Sequence, residues 1–140
     1  MKVSEAMTAP VVTATPQTTI AEAARQMSTI NTGALPVVEA GKVVGFVTDR
    51  DIVVRAVAKG VGLESPVSGI MSDDIHCCKA DDSVADAAAH MGNHQIRRLV
   101  VLDDNGQLAG ILSLGDIAVD YGAKQVGHTL EEISDAPATH

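Results

Sequence analysis

The sequence has almost no aromatic residues and too few basic residues to balance its acids. Phe46 and Tyr121 are the aromatic residues in a chain of 140, which has no tryptophan. The aromatic platforms on which single-stranded nucleic acid stacks are therefore missing. The formal net charge of −8 also disfavours a phosphate-backbone partner, which needs many lysine and arginine contacts. We expect no nucleic-acid partner.

Long apolar runs and a disulfide framework are missing as well. No apolar run approaches the roughly 20 residues of a membrane span. The N-terminus has no basic start followed by an apolar stretch, as a signal peptide would. The two cysteines, Cys77 and Cys78, are neighbours, and adjacent cysteines very rarely pair with each other. These absences predict a cytoplasmic protein with no membrane partner.

The chain does contain an internal repeat. At an offset of 64 or 65 residues the matched segments are 3–7 with 67–71, 35–38 with 99–102, and Gly45, Asp51 and Ile52 with Gly110, Asp116 and Ile117. The offset changes at Asn105, which adds one residue in a predicted turn, where a duplicated unit best tolerates an insertion. We predict four segments: a first copy at 1–59, a linker at 60–66, a second copy at 67–122, and a C-terminal tail at 123–140 that is partly helical or disordered.

Each copy is predicted to form a strand, a helix, two further strands and a second helix. For the first copy these are a strand at 11–13, a helix from the N-cap Thr19 to Ile30, strands at 34–38 and 42–47, and a helix at 49–59. The residues predicted to face inward are Ile20, Ala23, Ala24, Met27 and Ile30 from the first helix, and Ile52, Val53, Ala56 and Val57 from the second. Ser83 is the corresponding N-cap in the second copy, with Val84, Ala87, Ala88 and Met91 inward.

The strongest local signal is a motif that closes each copy. A hydroxyl residue ends a predicted strand and an aspartate follows three positions later, as Thr48 and Asp51 or as Ser113 and Asp116. Such a pair forms a helix cap. The same geometry suits a nucleotide, because a helix N-terminus attracts phosphate and an acidic residue can accept the hydroxyls of a ribose. Both interpretations stay open, since a cap can also contact a ligand.

The element order, the strand at 34–38 (ALPVV) and the repeated closing motif resemble CBS domains. The resemblance covers residues 3–122 and includes the usual tandem pair. The stretches 48–53 (TDRDIV) and 94–99 (HQIRRL) resemble stand-alone bacterial pairs of the hypoxic-response type. The resemblance implies an α+β fold of two βαββα repeats related by a pseudo-twofold axis, and a homodimer.

By this resemblance, an adenosine-containing ligand, with AMP or ATP expected first, binds in clefts to which both copies contribute. One cleft would combine Thr48 and Asp51 with Arg97 and Arg98. The other would combine Ser113 and Asp116 with Thr13 or Thr15 and with the backbone at Gly33 and Ala34. In each, the aspartate would hold the ribose, the hydroxyl and any arginine would meet phosphate, and aliphatic side chains would enclose the adenine.

The two clefts are expected to differ in charge. Arg50, Arg97 and Arg98 align with uncharged residues of the other copy, so positive charge is predicted at the cleft of Thr48 and Asp51. That cleft should prefer ligands with more phosphates. The alternative is that Arg97 and Arg98 are ordinary solvated or salt-bridged side chains. The predicted function is non-catalytic: the ligand shifts the population of two conformations, and an unknown partner protein reads the change.

Histidines and cysteines give weaker signals. His90 and His94 have the spacing of two metal ligands on one helix face. Gly92 between them argues against a regular helix, and surface histidines are the simpler interpretation. Cys77 and Cys78 point to opposite faces if they lie in a strand, which favours buried or half-buried thiols. We therefore assign no metal ligand.

Two further functions remain as alternatives to the nucleotide sensor. One is an interaction or stress-response protein whose closing motifs are helix caps and bind no nucleotide. The other is a metal- or redox-linked stress protein that uses the cysteines and histidines. An enzyme would need a nucleophile with a positioned base, and the residue spacing indicates none, so no catalytic residue is assigned.

Overall fold

The chain folds into two compact units, each containing helices and strands. The computed structural model describes residues 1–120 and 130–134. The continuous segment Val12–Ile75 forms one unit, named here the first-copy unit. The second-copy unit joins Met1–Val11 to the chain from His76 on. In the part of the chain that the structure describes, no helix is both long enough and apolar enough to cross a membrane.

Except for the first strand of the first copy, the elements follow the predicted order within each copy. They are α1 Val3–Ala6, α2 Ile20–Ile30, β1 Ala34–Glu39, β2 Lys42–Thr48, α3 Asp49–Asp51 with a π-helical continuation Ile52–Val57, a 3-10 turn Val67–Gly69, β3 Cys77–Lys79, α4 Val84–His94, β4 Arg98–Leu102, β5 Leu108–Ser113 and α5 Leu114–Asp120. Residues 130–134 are also helical. The mixed helix and strand composition confirms the predicted fold class.

The sheets are built on two hairpins. In the first-copy unit β1 pairs with β2 antiparallel, through a turn in which Ala40 and Gly41 have φ of 52° and 78°, as a two-residue hairpin loop requires. In the second-copy unit β4 pairs with β5 antiparallel and with β3 parallel. Asp103 stabilises the turn before β5, because its carboxylate accepts hydrogen bonds of 2.9 Å from the N–H groups of Asn105 and Gln107.

The predicted helix caps are confirmed in both copies. The Thr19 hydroxyl accepts the N–H of Glu22 at 3.1 Å, and the Ser83 hydroxyl accepts the N–H of Asp86 at 3.0 Å. The predicted inward residues of α4 are all buried: Val84, Ala87, Ala88 and Met91. In α2, Ile20, Ala23 and Met27 are buried. Ala24 and Ile30 are exposed, contrary to prediction. The buried face of this helix is therefore narrower than the apolar face that its sequence forms.

The first predicted strand, at 11–13, is reduced to a single bridge one residue later. Ala14 pairs with Val37 in parallel, and its N–H donates to the Pro36 carbonyl at 2.9 Å. Val12 and Thr13 are exposed. Pro16 follows soon after and has no N–H to continue a ladder. The corresponding strand of the second copy, β3, has three residues.

The second helix of the first copy buries fewer residues than predicted. Ala56 is buried, but Val53 is 59% exposed and Val57 is 62% exposed. The helix changes here to π-type hydrogen bonding, in which the Ala58 N–H donates to the Val53 carbonyl at 2.9 Å. The wider turn moves later side chains away from the positions that an α-helix would give them. The α-helical pattern of inward residues therefore fails beyond α3.

Gly92 does not prevent a regular helix between His90 and His94, contrary to prediction, because α4 continues to His94. The tail at 123–140 was predicted to be partly helical or disordered. Residues 130–134 are helical and Ile133 is 1% exposed, while residues 121–129 and 135–140 lie outside the described residues.

The compact units do not follow the boundaries of the sequence repeat. Val3 and Ala6, at the start of the first copy, are buried in the core of the second-copy unit. Val67 and Ile70, at the start of the second copy, are buried in the core of the first-copy unit. Each unit therefore takes its leading segment from the opposite copy, whereas the predicted boundaries follow the repeat.

Candidate functional site

The closing motif forms a helix cap in both units. In the first-copy unit the N–H of Asp51 donates to the Thr48 hydroxyl, and Asp51 Oδ2 accepts the N–H of Thr48, both at 3.0 Å. In the second-copy unit the equivalent distances for Asp116 and Ser113 are 3.1 Å and 2.9 Å. Each aspartate thereby uses one carboxylate oxygen to hold the end of its strand. The cap interpretation of the motif is correct, and a ligand role must use the remaining atoms.

The two motifs differ in what meets the second oxygen of the aspartate. Asp51 Oδ1 lies 3.7 Å from Arg55 Nε, and the Asp51 side chain is 14% exposed. Arg55 also donates to the Ile70 carbonyl at 3.3 Å. Asp116 Oδ1 instead accepts a hydrogen bond of 3.3 Å from the hydroxyl of Thr8. The first-copy carboxylate is thus neutralised within its unit, whereas Asp116 faces a neutral hydroxyl.

Arg97 and Arg98 lie beside the closing motif of their own copy. Arg98 is the register partner of Ser113 across β4 and β5, and the Arg97 carbonyl accepts the N–H of Leu114 at 2.9 Å. This proximity was not predicted from the sequence, although a hairpin that turns at residues 103–107 brings residues 97 and 98 next to residue 113. The predicted grouping of these arginines with Thr48 joins residues of different units and stays a prediction.

Both arginine side chains are available to an anion. They are exposed, and within residues 1–120 and 130–134 neither takes part in an ion pair. Their exposure agrees with the alternative of ordinary solvated arginines, whereas no ion pair supports salt-bridged arginines in this part of the chain. Two guanidinium groups on adjacent residues form a local positive patch in a chain of net charge −8. Arginine is well suited to phosphate because its planar donors can bind two oxygens together.

A pocket of about 420 Å³ lies within the second-copy unit. It opens to solvent and is lined by Arg97, Arg98, Ser113, Leu114, Gly115, Ala118 and Leu130. Its volume falls in the range of about 300–1,000 Å³ that is typical of small-molecule sites. The pocket thus combines two guanidinium groups and a hydroxyl with apolar lining residues.

The remaining predicted site residues lie in the first-copy unit. Ala34 is the register partner of Thr48, and the Gly33 carbonyl accepts the N–H of Asp49 at 2.9 Å. A Cβ atom on Gly33 would lie 3.0 Å from Asp49 Oδ2. Thr13 and Thr15 are exposed. Their predicted grouping with Ser113 and Asp116 again joins residues of different units and stays a prediction.

Three histidines of the second-copy unit come together, which the sequence analysis did not predict. His76 joins His90 and His94, and one ring nitrogen of each lies within 4.8 Å of those of the other two. Burial, and then the neighbouring His94 and His76, lower the pKa of His90. The ring of His90 is therefore neutral at neutral pH. The spacing of His90 and His94 was visible in the sequence, but nothing local indicated that His76 lies beside them.

The two cysteines differ in exposure, as neighbours in a strand should. Cys77 is exposed and Cys78 is buried. Burial raises the pKa of the Cys77 thiol. Burial, and then Asp82 and Cys77, raise the pKa of Cys78 to about 12. Both groups are therefore protonated thiols at neutral pH.

We expect Ellman's reagent at pH 7.5 to modify one thiol per native chain and to reach the second when the chain unfolds. The physical reason is access, because Cys78 is 8% exposed and the thiolate is the reactive form. Cys77→Ser should remove the native-state reaction and leave the reaction in denaturant. Equal modification rates for both thiols of the native protein would contradict the observed burial.

Comparison with known proteins identifies the family. The CBS domain family matches residues 3–57 and 67–120, which include both copies and most of the chain. The protein belongs to the CBS domain family and carries two such domains in tandem. This confirms the resemblance inferred from the closing motif and the repeat.

Individual relatives agree with this assignment. The CBS domain-containing protein YhcV of Bacillus subtilis is 44% identical over 133 residues, which are 94% of each chain. Hypoxic response protein 1 of Mycobacterium tuberculosis is 33% identical over 102 residues, which are 71% of each chain. The solved structure of the CBS domain protein PAE2072 from Pyrobaculum aerophilum, complexed with AMP, is similar with a TM-score of 0.77 and 29% identity. That similarity covers 97% of this chain and 100% of the other.

Proposed function

We propose that this CBS pair is a non-catalytic regulatory module that binds an adenosine-containing ligand in the pocket of the second-copy unit. The observation that carries the proposal is that Arg97, Arg98 and Ser113 line one pocket together with the apolar residues Leu114, Ala118 and Leu130. The AMP complex of the related protein PAE2072 supports this class of ligand. AMP and ATP are the first candidates.

The parts of such a ligand match the parts of the pocket. Phosphate oxygens would accept hydrogen bonds from the two guanidinium groups and the Ser113 hydroxyl, which are charge-assisted and hence strong. The ribose would lie toward Asp116, whose carboxylate already accepts the Ser113 N–H and the Thr8 hydroxyl. The adenine would contact the apolar side chains of the wall, Leu114, Ala118 and Leu130.

The proposal gives the first-copy motif a structural role. The carboxylate oxygens of both aspartates have partners, but the second oxygen of Asp51 lies beside the cationic Arg55, whereas that of Asp116 accepts a hydrogen bond from a neutral hydroxyl. A ribose would have to displace a partner that already neutralises the charge. Because the Asp51 carboxylate has its partners within its own unit, the first-copy motif also fits the alternative function, an interaction protein that binds no nucleotide. The sequence predicted that one closing motif would prefer phosphate, and it placed that preference at Thr48 and Asp51. The present proposal places it at Ser113 and Asp116 instead.

Regulation by such a module is a shift between conformations. A ligand changes the population of two states by no more than the difference in its affinity for them. A partner protein, or the CBS pair itself as an assembly, would respond to that shift. The homodimer, the cytoplasmic location and the stress-response role remain predictions from the sequence.

Calorimetric titration of the full chain with adenosine, AMP, ATP and S-adenosylmethionine tests the proposal. We expect binding that tightens with the number of phosphates. In Arg97→Gln/Arg98→Gln, ATP should bind about 10–100-fold more weakly, since a hydrogen bond to a charged group contributes about 1.5–3 kcal/mol. Adenosine should bind the variant as it binds the natural chain.

A matched pair of variants separates the two closing motifs. Ser113→Ala and Thr48→Ala remove equivalent cap hydroxyls, so both should lose about 1 kcal/mol of stability. We expect weaker ATP binding from Ser113→Ala alone. Equal losses of binding would reject the assignment to the second-copy unit. Failure of all four compounds to bind at millimolar concentration would reject the nucleotide function.

A further inference from the structure

The histidine cluster lies on the second-copy unit and shares no residue with the nucleotide pocket. The ring centroids of His90 and His94 are 4.4 Å apart, and His76 lies 4.7 Å from His94 and 5.7 Å from His90. The candidate ligand nitrogens are all within 4.8 Å of one another. His76 and His90 are half-buried, and His94 is exposed. Three imidazoles therefore converge at one point near the surface.

Regular secondary structure holds the three rings in place. His90 and His94 are one turn apart on α4, so their side chains lie on the same helix face. His76 directly precedes β3, and its carbonyl accepts the Val100 N–H at 3.0 Å. Helix α4 and strand β4 share a core that includes Met91 and Leu99. The rings are thus carried by elements that are packed against each other, as a binding site requires.

The hydrogen bond of His94 determines which of its nitrogens is free. His94 Nδ1 lies 3.1 Å from the carbonyl oxygen of His90. A carbonyl can only accept, so Nδ1 is the donor and a neutral ring leaves its lone pair on Nε2. A backbone carbonyl in this position is a common partner of metal-binding histidines, where it fixes the tautomer and the ring orientation.

His90 supplies the second observation. Its Nε2 is buried and has no hydrogen-bond partner among the described residues. A buried polar atom left without a partner costs stability. Donation of its lone pair to a cation that the neighbouring rings share would satisfy this nitrogen. The cluster therefore has a feature that close packing of three surface histidines does not explain.

We infer that His76, His90 and His94 bind one divalent transition-metal ion, with Zn²⁺ as the first candidate. Imidazole nitrogens suit zinc, copper, nickel and cobalt, and not magnesium or calcium. Zinc bound at about 2.0–2.1 Å in tetrahedral geometry separates its ligands by about 3.4 Å, so modest side-chain rotations close the present spacing. Because His94 is exposed, the fourth position is open to water or to an external ligand.

The test is metal titration of the full chain after treatment with a chelator. We expect one Zn²⁺ per chain, a rise in melting temperature with Zn²⁺ and none with an equal concentration of Mg²⁺. With Co²⁺, the visible absorption of a tetrahedral nitrogen-ligated ion should appear, and Zn²⁺ should displace it. Loss of a residue that only hydrogen-bonds to a metal ligand costs about 10–100-fold in metal affinity. Loss of the ligand itself should cost no less, so His90→Gln and His94→Gln should each weaken binding at least about tenfold.

A control variant keeps the result specific. Cys77→Ser should bind normally, because no thiol belongs to the cluster among the described residues. His94→Gln alters an exposed ring, so circular dichroism should show its fold intact. Absence of Zn²⁺ binding by the natural chain, undiminished binding by His94→Gln, or loss of binding in Cys77→Ser would each overturn the assignment.

Discussion

Replacement of Leu99 by alanine is expected to lower the free energy of unfolding by about 2–5 kcal/mol. Leu99 is 0% exposed and lies in the interior of β4. It belongs to a core that also contains Met91, Leu112 and Ile117. Alanine removes apolar surface and leaves a cavity between a helix and a sheet. The surrounding structure relaxes only partially into such a cavity, so much of the cost remains.

Urea unfolding followed by circular dichroism measures this loss. Val119→Ala is the matched control, because Val119 is 83% exposed and a surface substitution should change stability by no more than about 0.5 kcal/mol. Comparable losses from both substitutions would show that Leu99 does not occupy a close-packed core. Leu99→Ala and the natural chain should show the same dependence of the unfolding free energy on urea concentration, so that a lower transition midpoint reports a loss of stability.

Replacement of Gly110 by alanine is expected to cost about 1–3 kcal/mol through overpacking. A Cβ atom at this position would lie 2.7 Å from Met7 Sδ and 2.8 Å from the Thr8 carbonyl oxygen. The methionine can rotate away, but the carbonyl cannot. It accepts the Ile111 N–H at 3.1 Å, while the Thr8 N–H donates to the Ile111 carbonyl at 2.8 Å. The added methyl group must therefore push a hydrogen-bonded backbone apart.

The same substitution should also weaken ligand binding if Asp116 contacts the ligand. A displaced Thr8 would no longer hold its 3.3 Å hydrogen bond to Asp116 Oδ1. Thermal and urea unfolding measure the loss of stability, and the ATP titration measures the loss of affinity. A variant as stable as the natural chain would show that the leading segment does not pack against β5 in solution.

The repeat offers a matched variant and a control for Gly110. Gly45 is in the same position in the first-copy unit, where a Cβ atom would lie 2.7 Å from Met71 Sδ and 2.8 Å from the Ser72 carbonyl oxygen. Gly45→Ala should lose a similar amount of stability without an effect on the Ser113 pocket. Gly69 has no neighbouring atom within 4 Å of its Cβ position, so Gly69→Ala should change stability by no more than about 0.5 kcal/mol.

Features that depend on a few neighbouring residues were predictable from the sequence. The caps at Thr19 and Ser83, and the closing motifs at Thr48 and Ser113, involve partners three residues away. Hairpin turns are equally local. Such interactions are encoded by residue type and spacing, because the chain between the partners is too short to adopt many conformations. The same holds for the repeat itself, and hence for the family.

Local patterns failed where the packing partner is distant. Val53 and Val57 have the spacing of inward residues on an α-helix, but the helix changes to π-type bonding and leaves them exposed. Conversely, Gly92 lowers helix propensity, yet packing of α4 in the core keeps the helix intact to His94. For α4, tertiary packing outweighed the propensity of a single residue.

The sequence alone determined the duplication, the element order and the residues that close each copy. The tertiary structure decided which copy each leading segment joins, so that Thr8 lies beside Asp116, 108 residues away. It also decided that Arg98 faces Ser113 and that His76 meets His90 and His94. The two copies have nearly the same residue pattern, so by sequence alone Met7 could pack against Gly45 as well as against Gly110. Only the three-dimensional packing selects Gly110 over Gly45.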